Sequence, residues 1–213
     1  MNTTLYQPHT CCATAAPSEL KEQYGQLRYK DFRPDDPYVS LDHKRQVEFD
    51  DYDSRESTLL LLATMSKGRD TTLVSGARIM PTTEPNDIEE PSWQYLTKDI
   101  ELPKSPDVWV CGRWSSIKEK SRHRQICNSL VMLEIHRASI EHGFGFYFGV
   151  TTKQGHEWFD KVGIGVEACS PEFFTGREND SIYLITVRVD DRYVQVAHDK
   201  HKEAAMSLRS LAA

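Results

Sequence analysis

The chain is expected to fold as a mixed α/β domain, with a mainly antiparallel central sheet and helices on both faces. Three observations carry this. Strand-length runs rich in aliphatic and aromatic residues recur along the chain and are bounded by turn residues. Two amphipathic helical stretches, 17–33 and 121–143, flank those runs. Hydrophobic residues make up 38% of the 213 residues and aromatics 10%, enough for a substantial core.

Residues 1–16 read as a flexible segment before a single domain spanning 17–213. "PSELKEQYGQLRYKDFR" reads as a helix with Ser18 at the N-cap and Leu20, Tyr24 and Leu27 on its apolar side. The "PDDP" that follows breaks it. Residues 34–56 are polar and too long for a plain connector, which marks them as functional or mobile. "STLLLLATM" (57–65) and "TLVSGARIM" (72–80) read as a hairpin, and "DVWVCGRWS" (107–115) as a third strand beyond a Pro-rich acidic stretch. In "SRHRQICNSLVMLEIHRASIEHG", Cys127, Leu130, Val131, Ile135 and Ala138 form one stripe, and Gly143 supplies the stop. "FGFYFGVTT" (144–152) reads as a strand, "QGHEWFDKVG" (154–163) as a short helix, and "SIYLITVRV" (181–189) as a late strand. This order matches the acyltransferase fold built on a splayed pair of parallel central strands, and it fits other α/β folds too.

Composition narrows the function. A net charge of −6 argues against bulk nucleic-acid binding. Five cysteines without a C-x-x-C pair argue against a zinc site or a disulfide framework and fit a reducing cytoplasm. His136, His142 and His156 have no ligand spacing, so no metal is expected. No apolar run reaches membrane-spanning length, and the N-terminus lacks a signal-peptide pattern.

The stretch "VEFDDYD" (47–53) stands directly before the first strand. Four carboxylates there could be a solvated turn or one wall of a cation-binding cleft. The motifs around it are Arg28 and Phe32 in "LRYKDF", Asp50 and Asp53 in "EFDDYD", Arg78 in "GARIMPTT", and Trp109 and Arg113 in "DVWVCGRW". In this order and spacing the set resembles the acyl-homoserine-lactone synthases, over about residues 27–163. The resemblance implies transfer of an acyl chain from acyl carrier protein or coenzyme A to the amine of S-adenosylmethionine. Lactonisation and release of methylthioadenosine follow, and no bound cofactor is needed. It implies catalytic positions at Arg28, Asp50, Asp53, Arg78 and Arg113, and substrate contacts at Phe32, Tyr38, Trp109, Thr151 and Thr152. It also implies a carrier-protein dock at the basic residues Lys118, Lys120, Arg122 and Arg124, with no nucleic-acid or membrane partner and a monomeric state.

Two positions depart from the family pattern. Val110 stands where the family has a glutamate, and Gly112 where it has a serine. A general-base role at 110 therefore does not carry over. An N-acyl amino acid synthase of the same fold is the alternative. Simpler readings also stand beside these: Arg28 as a surface helix residue, Arg78 and Arg113 as structural ion-pair partners of Asp50 and Asp53, Trp109 and Trp114 as core, and the basic stretch as a solvated helix start.

Overall fold

The computed structural model describes residues 4–32, 40–118, 121–174 and 181–212. In chain order the elements are β1 (Thr4–Cys12), α1 (Ser18–Asp31), β2 (Leu41–Asp42), β3 (Val47–Glu48), β4 (Leu59–Lys67), β5 (Asp70–Pro81), α2 (Gln94–Thr97), β6 (Val108–Ser116), α3 (Ser121–His142), β7 (Phe146–Thr152), α4 (Lys153–Val162), β8 (Val166–Ala168), β9 (Phe173–Phe174), β10 (Ser181–Arg188) and α5 (Asp191–Ala212). The main sheet runs β1-β4-β5-β6-β7-β10-β8, with β9 also on β10. Its one parallel pair is β6–β7, joined at Val108↔Phe146, Trp109↔Tyr147 and Val110↔Phe148. Pairing stops there although both strands continue, so the expected splayed parallel pair sits at the centre of an otherwise antiparallel sheet.

Alternation along the strands builds two faces. Leu59, Leu61, Ala63, Ala77, Ile79, Trp109 and Cys111 face α3, whose Cys127, Val131, Ile135 and Ala138 stripe closes the larger core. α5 packs beside α3 through Tyr193, Val196 and Ala197. Leu60, Leu62 and Leu73 face α1 through Tyr24 and Leu27. Two glycines let α1 come close. A Cβ on Gly76 would lie 2.8 Å from the Tyr24 ring, and one on Gly25 would lie 2.4 Å from the Phe49 ring.

Two expectations are corrected. Residues 4–12 are an edge strand, paired with β4 along its whole length from Thr4↔Lys67 to Cys12↔Leu59. The backbone ladder needs no apolar alternation, and Pro8 suits an edge, where a missing N–H costs nothing. Ser18 is already inside α1; Pro17 holds the cap position, with no side-chain capping bond. The terminal helix α5 adds to the face covered by α3. The long polar loop is organised by the β2–β3 hairpin and a 3₁₀ turn at Asp51–Ser54.

Because β1 covers the outer edge of β4, deleting residues 1–12 should lower the thermal midpoint and promote association through the bared edge. Scanning calorimetry and light scattering check this. Unchanged unfolding and a monodisperse truncated protein would show that β1 is dispensable.

Candidate active site

The α1 face of the sheet carries an ionic cluster built from five places in the chain. α1 supplies Arg28, β5 supplies Arg78, and β6 supplies Arg113. The carboxylates come from Glu48 at the end of β3, from Asp50 and Asp53 around the 3₁₀ turn, and from Asp87 in a second 3₁₀ turn at Asp87–Glu89. The first turn fixes its own acids. Tyr52 N–H donates to Asp50 Oδ1 at 3.0 Å, and Asp50 N–H donates to Asp53 Oδ2 at 3.0 Å, a reciprocal capping box. The turn thus orients two carboxylates inward, while Asp51 remains exposed.

The arginines bind these acids in a closed network. Arg28 Nη1 donates to both oxygens of Asp53, at 2.8 and 2.9 Å, and Arg28 Nε donates to Glu48. Arg78 grips Asp50 with both terminal nitrogens, Nη2 to Oδ2 at 2.9 Å. It also donates to Asp53 Oδ1 at 3.1 Å and to Asp87 Oδ2 at 2.7 Å. Arg113 Nη2 donates to Asp50 Oδ2 at 3.0 Å and lies 3.7 Å from Glu48. Aromatic rings pack against the guanidiniums: Tyr24 against Arg28, Tyr52 against Arg78, and Phe32 against Arg113. Three cations thus face four anions, and the cluster carries one net negative charge.

Arg113 reaches this face through a backbone irregularity. Between the pairs Gly76↔Ser115 and Arg78↔Gly112, β6 carries one residue more than β5. Arg113 sits at this bulge with φ 55°, in the left-handed region. Tyr24 Oη donates to its carbonyl at 2.8 Å and holds it there. Such a conformation in a non-glycine residue persists where its surroundings enforce it.

Burial would by itself raise the pKa of Asp50. The charge and hydrogen bonds of Arg78, with the charges of Arg113 and Arg28, outweigh burial and hold it well below the usual carboxylate range. Asp50 is therefore a permanent anion and a poor proton acceptor. Burial pushes the Cys111 thiol up to about 12, with the charge of Asp87 adding to the effect, so it stays protonated. Asp50 keeps 16% of its side-chain surface open, against 3% for Asp53 and none for Arg28 and Arg78. A cleft of about 370 Å³ opens beside these acids, lined by Asp50, Asp53, Phe49, Ser18 and Lys21 among others. A larger depression, about 460 Å³, involves Phe146, Thr186 and Arg188 and none of the cluster.

The same sheet face turns apolar beyond the cluster. Met80, Val110, Phe148 and Leu184 pack there with Tyr52, Ile88 and Trp93. Among the described residues no group of three or more His, Cys, Asp and Glu side chains is arranged to hold a metal ion.

The structure brings together Arg28, Asp50, Asp53, Arg78 and Arg113, and adds Phe32 through Arg113. Trp109 lies elsewhere: alternation puts it on the α3 face, stacked on Phe144 at 4.9 Å, so it does not reach the cluster. Thr152 caps α4 by accepting from Gly155 N–H at 3.2 Å. Thr151 precedes it at the end of β7, opposite Tyr183. Lys118 pairs with Asp31 at 3.7 Å, and Arg122 and Arg124 lie in the first turn of α3. Tyr38 and Lys120 lie outside the described residues. Two cluster members escaped the sequence reading. Glu48 stands inside the quoted acidic stretch, and Asp87 stands in "NDIE", whose Asn-x-x-Glu spacing is itself a turn-capping signal.

No protein-family model matches the sequence, and a search of curated proteins finds no match. Solved structures do match. The AHL synthase LasI superposes with a TM-score of 0.73 at 20% identity, covering 92% of this chain and 95% of that one. BjaI, a CoA-dependent acyl-homoserine lactone synthase solved with SAM and isopentyl-CoA, gives 0.73 at 21% identity, covering 92% and 90%. The chain has the acyl-homoserine lactone synthase fold. FeeM, an N-acyl amino acid synthase from uncultured soil microbes, is more distant, with a TM-score of 0.51 at 9% identity over 89% of this chain and 94% of that one. The synthase fold is the one expected from the Arg28-to-Arg113 motif order.

Asp50→Asn should destabilise the protein by about 3 kcal/mol at pH 7, because it leaves buried guanidinium charge uncompensated. The folded-state pKa of Asp50 is depressed, so its contribution is present above the unfolded value of about 3.9 and is lost as pH falls below that, through the folded value. The gap between parent and variant should therefore narrow between pH 5 and pH 2, roughly the window set by those two values. Urea titrations across that range measure it, and a gap independent of pH would contradict the ion-pair account.

Proposed function

We propose that the chain is an acyl-homoserine-lactone synthase, joining an acyl thioester to the amine of S-adenosylmethionine. The observation that carries this is the cluster of three arginines and four carboxylates beside an open cleft lined by Asp50 and Asp53. S-adenosylmethionine brings a sulfonium and an ammonium, and the two aspartates attract both. Its carboxylate needs a positive partner, and Arg113, at the cluster's edge beside Asp50 and Glu48, suits that contact. The flanking apolar face suits an acyl chain, with Phe148 and Val150 from β7 on it. Arginines locked by their acids keep the site preorganised.

In this reading Arg28, Asp53 and Arg78 hold the frame, while Asp50 faces the substrate cations. The family resemblance assigns substrate contacts to Phe32 and Tyr38, and Thr151 or Thr152 would meet the oxygen of a 3-substituted acyl chain. The enzyme acts as a soluble cytoplasmic monomer, with a single domain that includes β1. The donor is an acyl carrier protein, with acyl-coenzyme A the alternative. Lys118, Lys120, Arg122 and Arg124 gather positive charge at the α3 start, where an acidic carrier is attracted.

Incubation with S-adenosylmethionine and an acyl donor should yield acyl-homoserine lactone and methylthioadenosine in equal amounts, read by mass spectrometry. An N-acyl amino acid without methylthioadenosine would replace this reading with that of the FeeM type, which Val110 favours by removing an acid from β6. No turnover with any donor would replace it with a non-catalytic binding role.

Reversing Arg122 and Arg124 to Glu should raise KM for acyl carrier protein about tenfold or more and leave KM for S-adenosylmethionine nearly unchanged. High salt should mimic the reversal, since the Debye length falls to about 3 Å at 1 M. Steady-state kinetics in both buffers check this; a KM for the carrier that moves with neither change would exclude this surface as the dock.

A further inference from the structure

The four acids of the cluster do not use their oxygens alike. Both oxygens of Asp50 accept from arginines, and both oxygens of Asp53 accept hydrogen bonds. Glu48 Oε2 accepts from Arg28, and its Oε1 lies 3.7 Å from Arg113. Asp87 differs from Asp50 and Asp53 and, like Glu48, has one buried oxygen without a hydrogen bond; its neighbour Ile88 puts it beside the apolar half of the site. Asp87 Oδ2 accepts from Arg78 at 2.7 Å, while Oδ1 is buried and accepts no hydrogen bond. Its side chain is only 7% exposed. A buried carboxyl oxygen without a hydrogen-bond donor is costly and calls for an explanation.

β6 leaves room for this carboxylate. A Cβ on Gly112 would lie 3.3 Å from Asp87 Oδ2, so any larger residue would press on it. Val110 occupies the same face two residues earlier and is apolar, packed with Ile88, the residue after Asp87. The ionic and apolar halves of the site therefore meet at Asp87. An acylation centre must lie at such a junction, with the charged acceptor on one side and the acyl chain on the other.

We propose that Asp87 Oδ1 receives the substrate amine and accepts its proton during acyl transfer. This rests on the synthase reading. The amine nitrogen attacks the thioester carbonyl, forming the N–C bond as the C–S bond breaks. Of the two protons the ammonium sheds in becoming an amide, the first leaves to solvent before attack and frees the lone pair, and the second passes from the tetrahedral adduct to Asp87 and on to the departing thiolate. Nitrogen bonded to the tetrahedral carbon is a far stronger acid than the free ammonium, so a carboxylate suffices as acceptor. Arg78, bonded to Oδ2, keeps the carboxylate in place.

The test is Asp87→Asn, which keeps volume and an acceptor oxygen for Arg78. The parent is assayed first; absence of lactone and methylthioadenosine from the parent overturns the synthase reading and this assignment with it. With an active parent, kcat should fall at least 100-fold and KM for S-adenosylmethionine should change less than threefold. Adding Val110→Glu to Asp87→Asn should recover at least tenfold of the loss, because it returns a carboxylate to the same face. Val110→Glu in the parent should give no gain. If Asp87→Asn does not fold, Gly112→Ser decides: its side chain displaces the carboxylate, and kcat should fall at least tenfold with KM for S-adenosylmethionine held. An active parent with unchanged kcat in Asp87→Asn, or full activity in Gly112→Ser, overturns the assignment and leaves the synthase reading standing.

Discussion

Arg78 is the interaction on which the site depends. Its guanidinium is fully buried at the end of β5 and is held by Asp50, Asp53 and Asp87. Those three acids belong to two different 3₁₀ turns, so one side chain ties both connections to the sheet. A buried ion pair is a poor source of net stability, but removing one partner is expensive, which makes the arrangement specific. The turn at 51–54 has little apolar packing of its own beyond Tyr52, and its acids need the arginines to be buried at all. The arginines in turn need α1 to lie close, and α1 lies close because Gly25 and Gly76 have no side chains.

Much of this was legible in the sequence, for a definable reason. β4, β5, β6, β7 and β10 are strands whose local pattern and tertiary burial agree, and α3 shows its stripe without help from neighbours. β1 was not legible, because an edge strand is held by its ladder and "TLYQPHTCC" has no apolar period to betray it. α5 does carry a stripe, in Tyr193, Val196, Ala197 and Ala204, but among charged residues that soften the contrast.

The site divides in the same way. Arg28, Asp50, Asp53, Arg78 and Arg113 were legible because their order and spacing form a motif. Asp87 carries no such signal, since its place is set by Arg78 and by the space at Gly112, both tertiary facts. The family resemblance implies a substrate contact at Trp109, which shares a strand with Arg113. The parity of the strand alone would have placed both on one face, and the bulge between them undoes that inference.

That bulge makes β6 a strand with two reading frames. Before Gly112 the odd positions, Trp109 and Cys111, belong to the α3 core; after Arg113 it is the even position Trp114 that packs there. The chemistry-facing half and the scaffold half of a single strand are thus out of phase. An exchange of residues can alter the pocket upstream without the compensating change that a regular strand would demand downstream. A one-residue deletion at 113 would restore regular pairing with β5. It would do so by removing the guanidinium itself, so straightening this strand and keeping its charge are incompatible.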